Sequence, residues 1–259
     1  AYGYGRRRKP PTPNKESGVG TVELLGHTDP TSGLAEAARA IRTNILFMSP
    51  DNPHKRLLVT SAGPSEGKTT AACCIAVAMA QAGQRVLLVD CDLRRPRIHR
   101  VFGKTNDVGV TTALLNRTSL ETAIQPTEVT GLSVLVSGPQ VPNPAEIIQS
   151  DAFGSLLDDI SARFDRVVLD SPPVVPVTDA AILSKRVDGL ILVVRAFATS
   201  RDLVRQAVRV LRDVNAPLIG SLLNGVDVSR RGYSRYQYYY ASPYKASTPP
   251  PSMRHDAQA

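Results

Sequence analysis

The sequence predicts a three-layer α/β/α fold built around a doubly wound, mainly parallel β-sheet. Short apolar runs rich in β-branched residues alternate with helical stretches, which is the pattern of strand–helix–strand units with right-handed crossovers. These runs show no polar alternation, as expected when helices cover both faces of a sheet. The predicted strands are residues 57–62, 86–90, 132–137, 166–170, 190–196 and 218–224.

The first predicted helix begins at Ser32, whose hydroxyl can cap the helix N-terminus. Leu34, Ile41 and Ile45 then supply an apolar stripe at helical spacing. Further helices are predicted between the strands, over residues 68–82, 145–162, 178–186 and 200–214. The apolar run that starts at Ala71 is too short to span a bilayer, and we interpret it as a buried helix.

The two ends of the chain differ in composition from its centre. Of the net charge of +8, residues 1–20 and residues 229–259 carry +4 each, which leaves the centre neutral. We predict a disordered basic arm over residues 1–31, a folded domain over 32–228 and a disordered tyrosine-rich tail over 229–259. Basic ends can contact nucleic acid, acidic lipid headgroups or phosphorylated partners, and charge alone does not decide among these. The three cysteines show no zinc-like spacing, so we expect reduced thiols in the core.

The segment AGPSEGKTT at residues 62–70 lies between a predicted strand and a predicted helix. It fits a phosphate-binding loop of the P-loop NTPase type, in which backbone N–H groups and the helix dipole face the phosphates. Lys68 is expected to neutralise the β- and γ-phosphate oxygens, and the hydroxyl of Thr69 to bind Mg²⁺. The residues predicted to bind ATP are Pro64, Ser65, Glu66, Gly67, Lys68, Thr69 and Thr70.

Three aspartates stand at the ends of predicted strands. Asp90 and Asp92 close the segment VLLVDCDLR, and Asp170 closes RVVLD. In an extended chain, residues two apart point to the same side, so Asp90 and Asp92 can face one site. Ligands of open α/β sheets bind at the C-terminal ends of the strands. Together with the P-loop, these carboxylates predict a site for ATP and Mg²⁺.

These motifs resemble those of the bacterial tyrosine kinases (BY-kinases), cytoplasmic autokinases linked to capsule and exopolysaccharide synthesis. AGPSEGKT, VLLVDCDLR and VVLDSPP are similar to the Walker A, Walker A′ and Walker B motifs of that family. The similarity extends to LRRPRIHRVF, to PPVVPVTDA and to EAARAIR at residues 36–42, which resembles an E-x-x-R-x-x-R oligomerisation motif. It covers residues 32 to 244. One departure is Ser65, which stands where many family members have glycine.

The resemblance implies roles for individual residues of the site. Asp90 would accept the proton of the tyrosine, whereas Asp92 and Asp170 would bind Mg²⁺ directly or through water. Asn224 matches the position that contacts adenine. Glu36, Arg39 and Arg42, which also recur at helical spacing, would form an interface between subunits.

The resemblance also implies partners and a location. The chain would form a homo-oligomeric ring through its N-terminal helix and act on protein tyrosines, including its own. It would work with a membrane-bound activator, fused upstream or separate, at the inner face of the bacterial plasma membrane. We do not expect nucleic acid as a partner.

All eight tyrosines lie outside the predicted core, and six of them fall within twelve residues of the tail. The resemblance marks these six as phosphate acceptors: Tyr233, Tyr236, Tyr238, Tyr239, Tyr240 and Tyr244. A segment that stacks on membranes or nucleic acid through aromatic and basic side chains is the alternative interpretation of the tail.

Two other functions fit the same fold. One is an ATPase switch of the kind that positions division sites or partitions chromosomes, although such proteins usually carry a second lysine where this chain has Gly63. The other is a non-catalytic, nucleotide-gated scaffold of a polymer-export complex. Lys68 and the two aspartates of VLLVDCDLR favour the kinase over the scaffold.

Overall fold

A computed structural model describes residues 22–115 and 117–227 of the chain. Its seven strands form one sheet in the order β3-β4-β2-β5-β1-β6-β7. They are β1 (Arg56–Ser61), β2 (Val86–Asp90), β3 (Gln125–Pro126), β4 (Leu132–Leu135), β5 (Arg166–Asp170), β6 (Gly189–Arg195) and β7 (Leu218–Asn224). All neighbouring pairs are parallel except β3 with β4. The predicted α/β fold is therefore confirmed, and β3 is a two-residue addition at one edge.

The helices fall into the intervals between the strands. They are α1 (Leu25–Thr28), α2 (Gly33–Met48), α3 (Lys68–Ala80), α4 (Ile98–Val101), α5 (Val110–Leu114), α6 (Leu120–Ala123), α7 (Pro144–Gln149), α8 (Asp151–Arg163), α9 (Asp179–Leu183) and α10 (Arg201–Asp213). None of the helices among the described residues is long and apolar enough to cross a membrane.

The helices form one layer on each face of the sheet because successive strand residues point to opposite sides. Leu57 and Val59 of β1 pack with α3 and with Ile45 of α2 in one buried cluster. Leu58 of β1 belongs to a second cluster, which includes residues of α7, α8, α9 and α10. Helix α3 is almost wholly buried, as its apolar sequence predicts. Its Cys73 and Cys74, together with Cys91, are buried free thiols.

Three expectations about elements need correction. The predicted helix over 145–162 is two helices, because Ser150 has extended backbone angles and its side chain caps Phe153 N of α8. Strand β7 is not covered on both faces, and Leu218 and Leu223 are exposed at this sheet edge. The predicted disordered arm over 1–31 is too long, because residues 22–28 are helical and Glu23 is buried.

Candidate functional site: a nucleotide pocket at the ends of β1, β2 and β5

The three central strands bring the phosphate-binding loop and the aspartates to one edge of the sheet. Strand β5 lies between β2 and β1, with Asp90 opposite Asp170 and Val59 also opposite Asp170 in register. The loop that leaves β1 enters α3 at Lys68. Residues about 100 positions apart along the chain therefore meet at the carboxyl ends of neighbouring strands, where open α/β sheets bind ligands.

The loop backbone turns through two left-handed residues. Ser65 has φ +62° and Gly67 has φ +91°. A side chain in this region costs about 1 kcal/mol or more, which Ser65 bears and which glycine avoids. Gly67 is needed for a second reason, since a Cβ there would lie 1.9 Å from Nδ2 of Asn224. Ser65, which stands where many family members have glycine, therefore occupies a position that favours glycine. The loop adopts the left-handed conformation there with serine.

Glu66 and Asn224 hold the loop from behind. The buried carboxylate of Glu66 accepts hydrogen bonds from Ala62 N at 3.0 Å and from Thr199 Oγ1 at 2.7 Å. Asn224 Nδ2 donates to Glu66 O at 2.9 Å. Both carboxylate oxygens of Glu66 therefore already accept hydrogen bonds within the protein. Only the backbone N–H of Glu66 can face a phosphate.

At the start of α3, a lysine, a hydroxyl and two carboxylates meet. Lys68 Nζ lies 2.8 Å from Asp92 Oδ2 and 3.7 Å from Asp170 Oδ1. Thr69 Oγ1 donates to Asp170 Oδ2 at 2.7 Å. Burial opposes the charge of Lys68, but attraction to Asp170 and Asp92 outweighs it and raises the pKa of the lysine. Lys68 is therefore a fixed cation at the mouth of the loop.

Asp90 occupies a different environment from Asp92. It is fully buried, and its carboxylate accepts from the backbone N–H groups of Asp92, Arg97 and Ile98 at 3.0–3.2 Å. Burial, together with repulsion from Asp170, raises the pKa of Asp90 above the usual carboxyl range. Asp90 therefore anchors the loop that follows β2.

The donor set of the site fits Mg²⁺ shared with phosphates. Oδ1 of Asp170 is buried and has no hydrogen-bond partner among the described residues. Burial raises the pKa of Asp170 despite the nearby Lys68, so a cation beside this oxygen would favour its charged form. The part of the chain that the structure describes contains no group of three or more His, Cys, Asp or Glu side chains suited to a metal. Mg²⁺ commonly binds one or two carboxylates and completes its shell with phosphates and water.

Sequence reasoning missed two ion pairs that frame the site. Buried Glu23, inside the predicted arm, accepts from Thr70 Oγ1 at 3.2 Å and from Arg97 Nη2 at 2.7 Å. Arg94 binds the buried carboxylate of Asp179 through Nε and Nη2 at 2.8 and 2.9 Å. Asp179 lies within PPVVPVTDA, a segment already noted as similar to the family, whereas Glu23 carries no local signal.

The predicted interface residues separate on α2. Glu36 and Arg39 form an ion pair on the accessible side, and Arg39 also donates to Pro30 O at 2.7 Å. Arg42 instead turns toward α3 and donates to Ala78 O at 3.2 Å. The three residues therefore differ in their contacts, because Arg42 supports the contact between α2 and α3. The tail tyrosines lie outside the described residues.

A family model described as an AAA domain matches residues 62–219. The chain is 41% identical over 216 residues to the tyrosine-protein kinase YwqD of Bacillus subtilis (strain 168), with 83% of this chain and 90% of YwqD covered. It is 35% identical to the putative tyrosine-protein kinase CapB of Staphylococcus aureus, with 84% and 94% covered. Among solved structures, the kinase domain of Escherichia coli tyrosine kinase ETK aligns with a TM-score of 0.76 at 32% identity, with 78% and 80% covered.

Proposed function

The chain belongs to the bacterial tyrosine-protein kinases, and from that premise we propose that it is an autokinase that transfers the γ-phosphoryl group of ATP to the tyrosines of its own tail. The observation that carries the proposal is the group formed by Lys68, Thr69, Asp92 and Asp170 at the mouth of the P-loop. It supplies a buried cation for phosphate oxygens and oxygen ligands for a metal within one site.

Each residue has a separate task in the proposed reaction. Thr69, Asp92 and Asp170 would hold Mg²⁺, which when bound neutralises charge on the transferred phosphate. Lys68, now paired with Asp92, would exchange that partner for β- and γ-phosphate oxygens. The loop amides and the N-terminus of α3 orient the same phosphates. Asn224 stands at the opposite side of the loop, where the adenine would lie.

Tyrosine needs a base to take its proton, because its hydroxyl has a pKa of about 10 and stays protonated at neutral pH. The bond between its oxygen and the γ-phosphorus forms as the bond to the β-phosphate oxygen breaks, and the proton passes to a carboxylate. We assign that carboxylate to Asp90, as in the family that the motifs resemble. Because the amides of Asp92, Arg97 and Ile98 occupy it, proton transfer requires the loop after β2 to shift.

Tail tyrosines suit phosphorylation by a neighbouring copy. Residues 22–227 contain no tyrosine, so a folded core has none to offer. We propose that copies assemble in a ring through the Glu36 and Arg39 side of α2, each tail entering a neighbour's site. Each phosphotyrosine adds about −1.5 to −2 charges at neutral pH, so three would cancel the +4 of the tail and weaken its attraction to an aspartate-lined site.

We propose the cellular setting of the reaction from the family to which the chain belongs. The enzyme would act on the cytoplasmic side of the bacterial plasma membrane with a membrane-bound activator, fused or separate. Its phosphorylation state would regulate the synthesis or export of a polysaccharide.

Incubation with labelled ATP and Mg²⁺, followed by phosphoamino-acid analysis, tests the proposal. We expect phosphotyrosine in the parent chain and in Lys185→Met, an exposed matched control, and none in Lys68→Met. Deleting residues 229–259 should remove most label and preserve ATP binding. Phosphate release without phosphotyrosine would favour the switch ATPase, and main phosphosites at Tyr2 or Tyr4 would contradict the tail assignment.

A further inference from the structure

A second cavity, of about 550 Å³, opens beside the nucleotide site and is lined by four arginines. They come from the seven residues after Leu93 and are Arg94, Arg95, Arg97 and Arg100. The size lies within the range of small-molecule sites. Nothing in the proposed phosphoryl transfer uses these side chains, although the loop that carries them contributes amides to Asp90.

Two of the arginines are held in place by buried carboxylates. Arg94 uses Nε and Nη2 on Asp179, and Arg97 uses Nη2 on Glu23. The remaining guanidinium N–H groups of both side chains make no hydrogen bond within residues 22–115 and 117–227, and both side chains are partly exposed, at 39% and 59%. Such anchoring lowers the entropy lost when a guanidinium binds a ligand.

The other two arginines are free to bind. The side chains of Arg95 and Arg100 are exposed and form no hydrogen bond or ion pair with the part of the chain that the structure describes. The four arginines carry four positive charges, and the carboxylates of Asp179 and Glu23 neutralise two of them. The cavity therefore has two net positive charges. A phosphate monoester carries about −1.5 to −2 charges at neutral pH, and arginine is the side chain best matched to its oxygens.

Asp92 connects the loop that lines the cavity with the catalytic group. Oδ1 of Asp92 accepts from Arg95 N at 2.9 Å, while Oδ2 of Asp92 accepts from Lys68 Nζ at 2.8 Å. His99 also lines the cavity, and its buried Nδ1 has no hydrogen-bond partner among the described residues. The cavity is therefore connected to the catalytic group through the loop that follows β2.

We propose that the arginine cavity binds a phosphotyrosine that the adjacent site has just made, and so retains the tail of a second copy while the next tyrosine reacts. The inference rests on the proposed function, because it needs a tail with several acceptors. Successive tail tyrosines are one to four residues apart. An extended chain spans about 3.3–3.6 Å per residue, so successive acceptors lie about 3–14 Å apart along the tail. One phosphotyrosine balances the two net positive charges of the cavity. Further phosphotyrosines on the same tail would then be repelled by the aspartate-lined site.

Binding is tested in the Lys68→Met chain, which should not modify the probe. The probe is a peptide of residues 233–244 with a single phosphate on Tyr239, compared with the same peptide without phosphate and with inorganic phosphate. We expect the phosphopeptide to bind at least about tenfold more tightly than the plain peptide, from charge-assisted hydrogen bonds to two arginines. Arg95→Ala/Arg100→Ala should abolish that preference.

The charge-matched control is Arg209→Ala/Arg212→Ala, two exposed arginines of α10 without an intrachain partner in the described ranges. It should retain the preference. An equal preference in both double variants would overturn the proposal. Equal competition by inorganic phosphate at the same concentration would also overturn it, because the cavity would then not recognise phosphotyrosine.

Retention is tested in the active chain by intact mass spectrometry at equal total phosphate incorporation. We expect multiply phosphorylated chains beside unmodified ones in the parent and in the α10 control. Arg95→Ala/Arg100→Ala, or free O-phospho-L-tyrosine added to the parent, should shift the products to single phosphates spread over all chains. Unchanged distributions would refute retention. A chain that incorporates no phosphate would instead refute the proposed function, while the binding experiment would still decide the cavity.

Discussion

Replacing Gly67 by alanine should damage the nucleotide site in a way that can be separated from backbone strain alone. Gly67 has φ +91°, and an added Cβ would meet Asn224 Nδ2 at 1.9 Å. Gly83 is a matched control, because its φ is +85° and no heavy atom lies within 4 Å of its Cβ position. Both substitutions incur the left-handed strain of about 1–2 kcal/mol. Only Gly67→Ala also displaces Asn224 from Glu66 O.

The loss of that hydrogen bond adds about 1 kcal/mol, so Gly67→Ala should lower the free energy of unfolding by about 2–3 kcal/mol. In a domain of this size the difference between the variants corresponds to about 3 °C in Tm. Urea denaturation measures the stability, and titration with a fluorescent ATP analogue measures the affinity. We expect Gly67→Ala to bind the analogue at least about tenfold more weakly, as the loop moves, and Gly83→Ala to bind it normally.

The double variant Gly67→Ala/Asn224→Ala tests the cause. If the clash with Asn224 is responsible, the combined loss of stability is smaller than the sum of the two single losses. Equal stability and equal affinity in Gly67→Ala and Gly83→Ala would refute the argument, since the contact behind the loop would then have no consequence.

Three further predictions concern the carboxylates and α2. Asp170→Asn should weaken metal-dependent binding of the ATP analogue, because it removes a charged oxygen ligand, whereas Asp90→Asn should preserve binding and slow phosphoryl transfer; equal loss of binding would contradict the two roles. Burial, with repulsion from Asp170, raises the pKa of Asp90, so the native state holds more protons than the unfolded chain. The free energy of unfolding should therefore fall as pH rises above about 3.9. Asp90→Asn should flatten this part of the profile in urea titrations, and an unchanged slope would contradict the assignment. Arg39→Ala should reduce the oligomer seen by light scattering of unphosphorylated protein, with Arg209→Ala as the single-arginine control, and an unaffected oligomer would remove support for the interface.

The sequence predicted the fold well because its strands are continuous apolar runs and its long helices have clear boundaries. Helices α4, α5 and α6 escaped prediction because four or five residues are too few to show a helical period. The split between α7 and α8 was missed even though Ser150, directly before Asp151, is a typical start of a helix.

The sequence predicted those site residues that lie within short recognisable motifs. The motifs around Lys68, Asp92 and Asp170 identify residues that the structure does bring together. The contacts of Glu23 were not predictable, because its partners are about 50 and 70 positions away and are chosen by tertiary packing. The orientation of Arg42 depends in the same way on where α3 lies, which helical spacing cannot show.

The strand order also has a consequence for synthesis on the ribosome. Strand β1, which carries the P-loop, pairs with β5 and β6 and not with β2, the next strand along the chain. A nascent chain that has emerged only as far as β4 therefore possesses the complete P-loop sequence without either neighbour of its strand. Asn224, which braces the loop, emerges later still. Nucleotide can thus assist folding only near the end of translation, and β1 must await both of its partners.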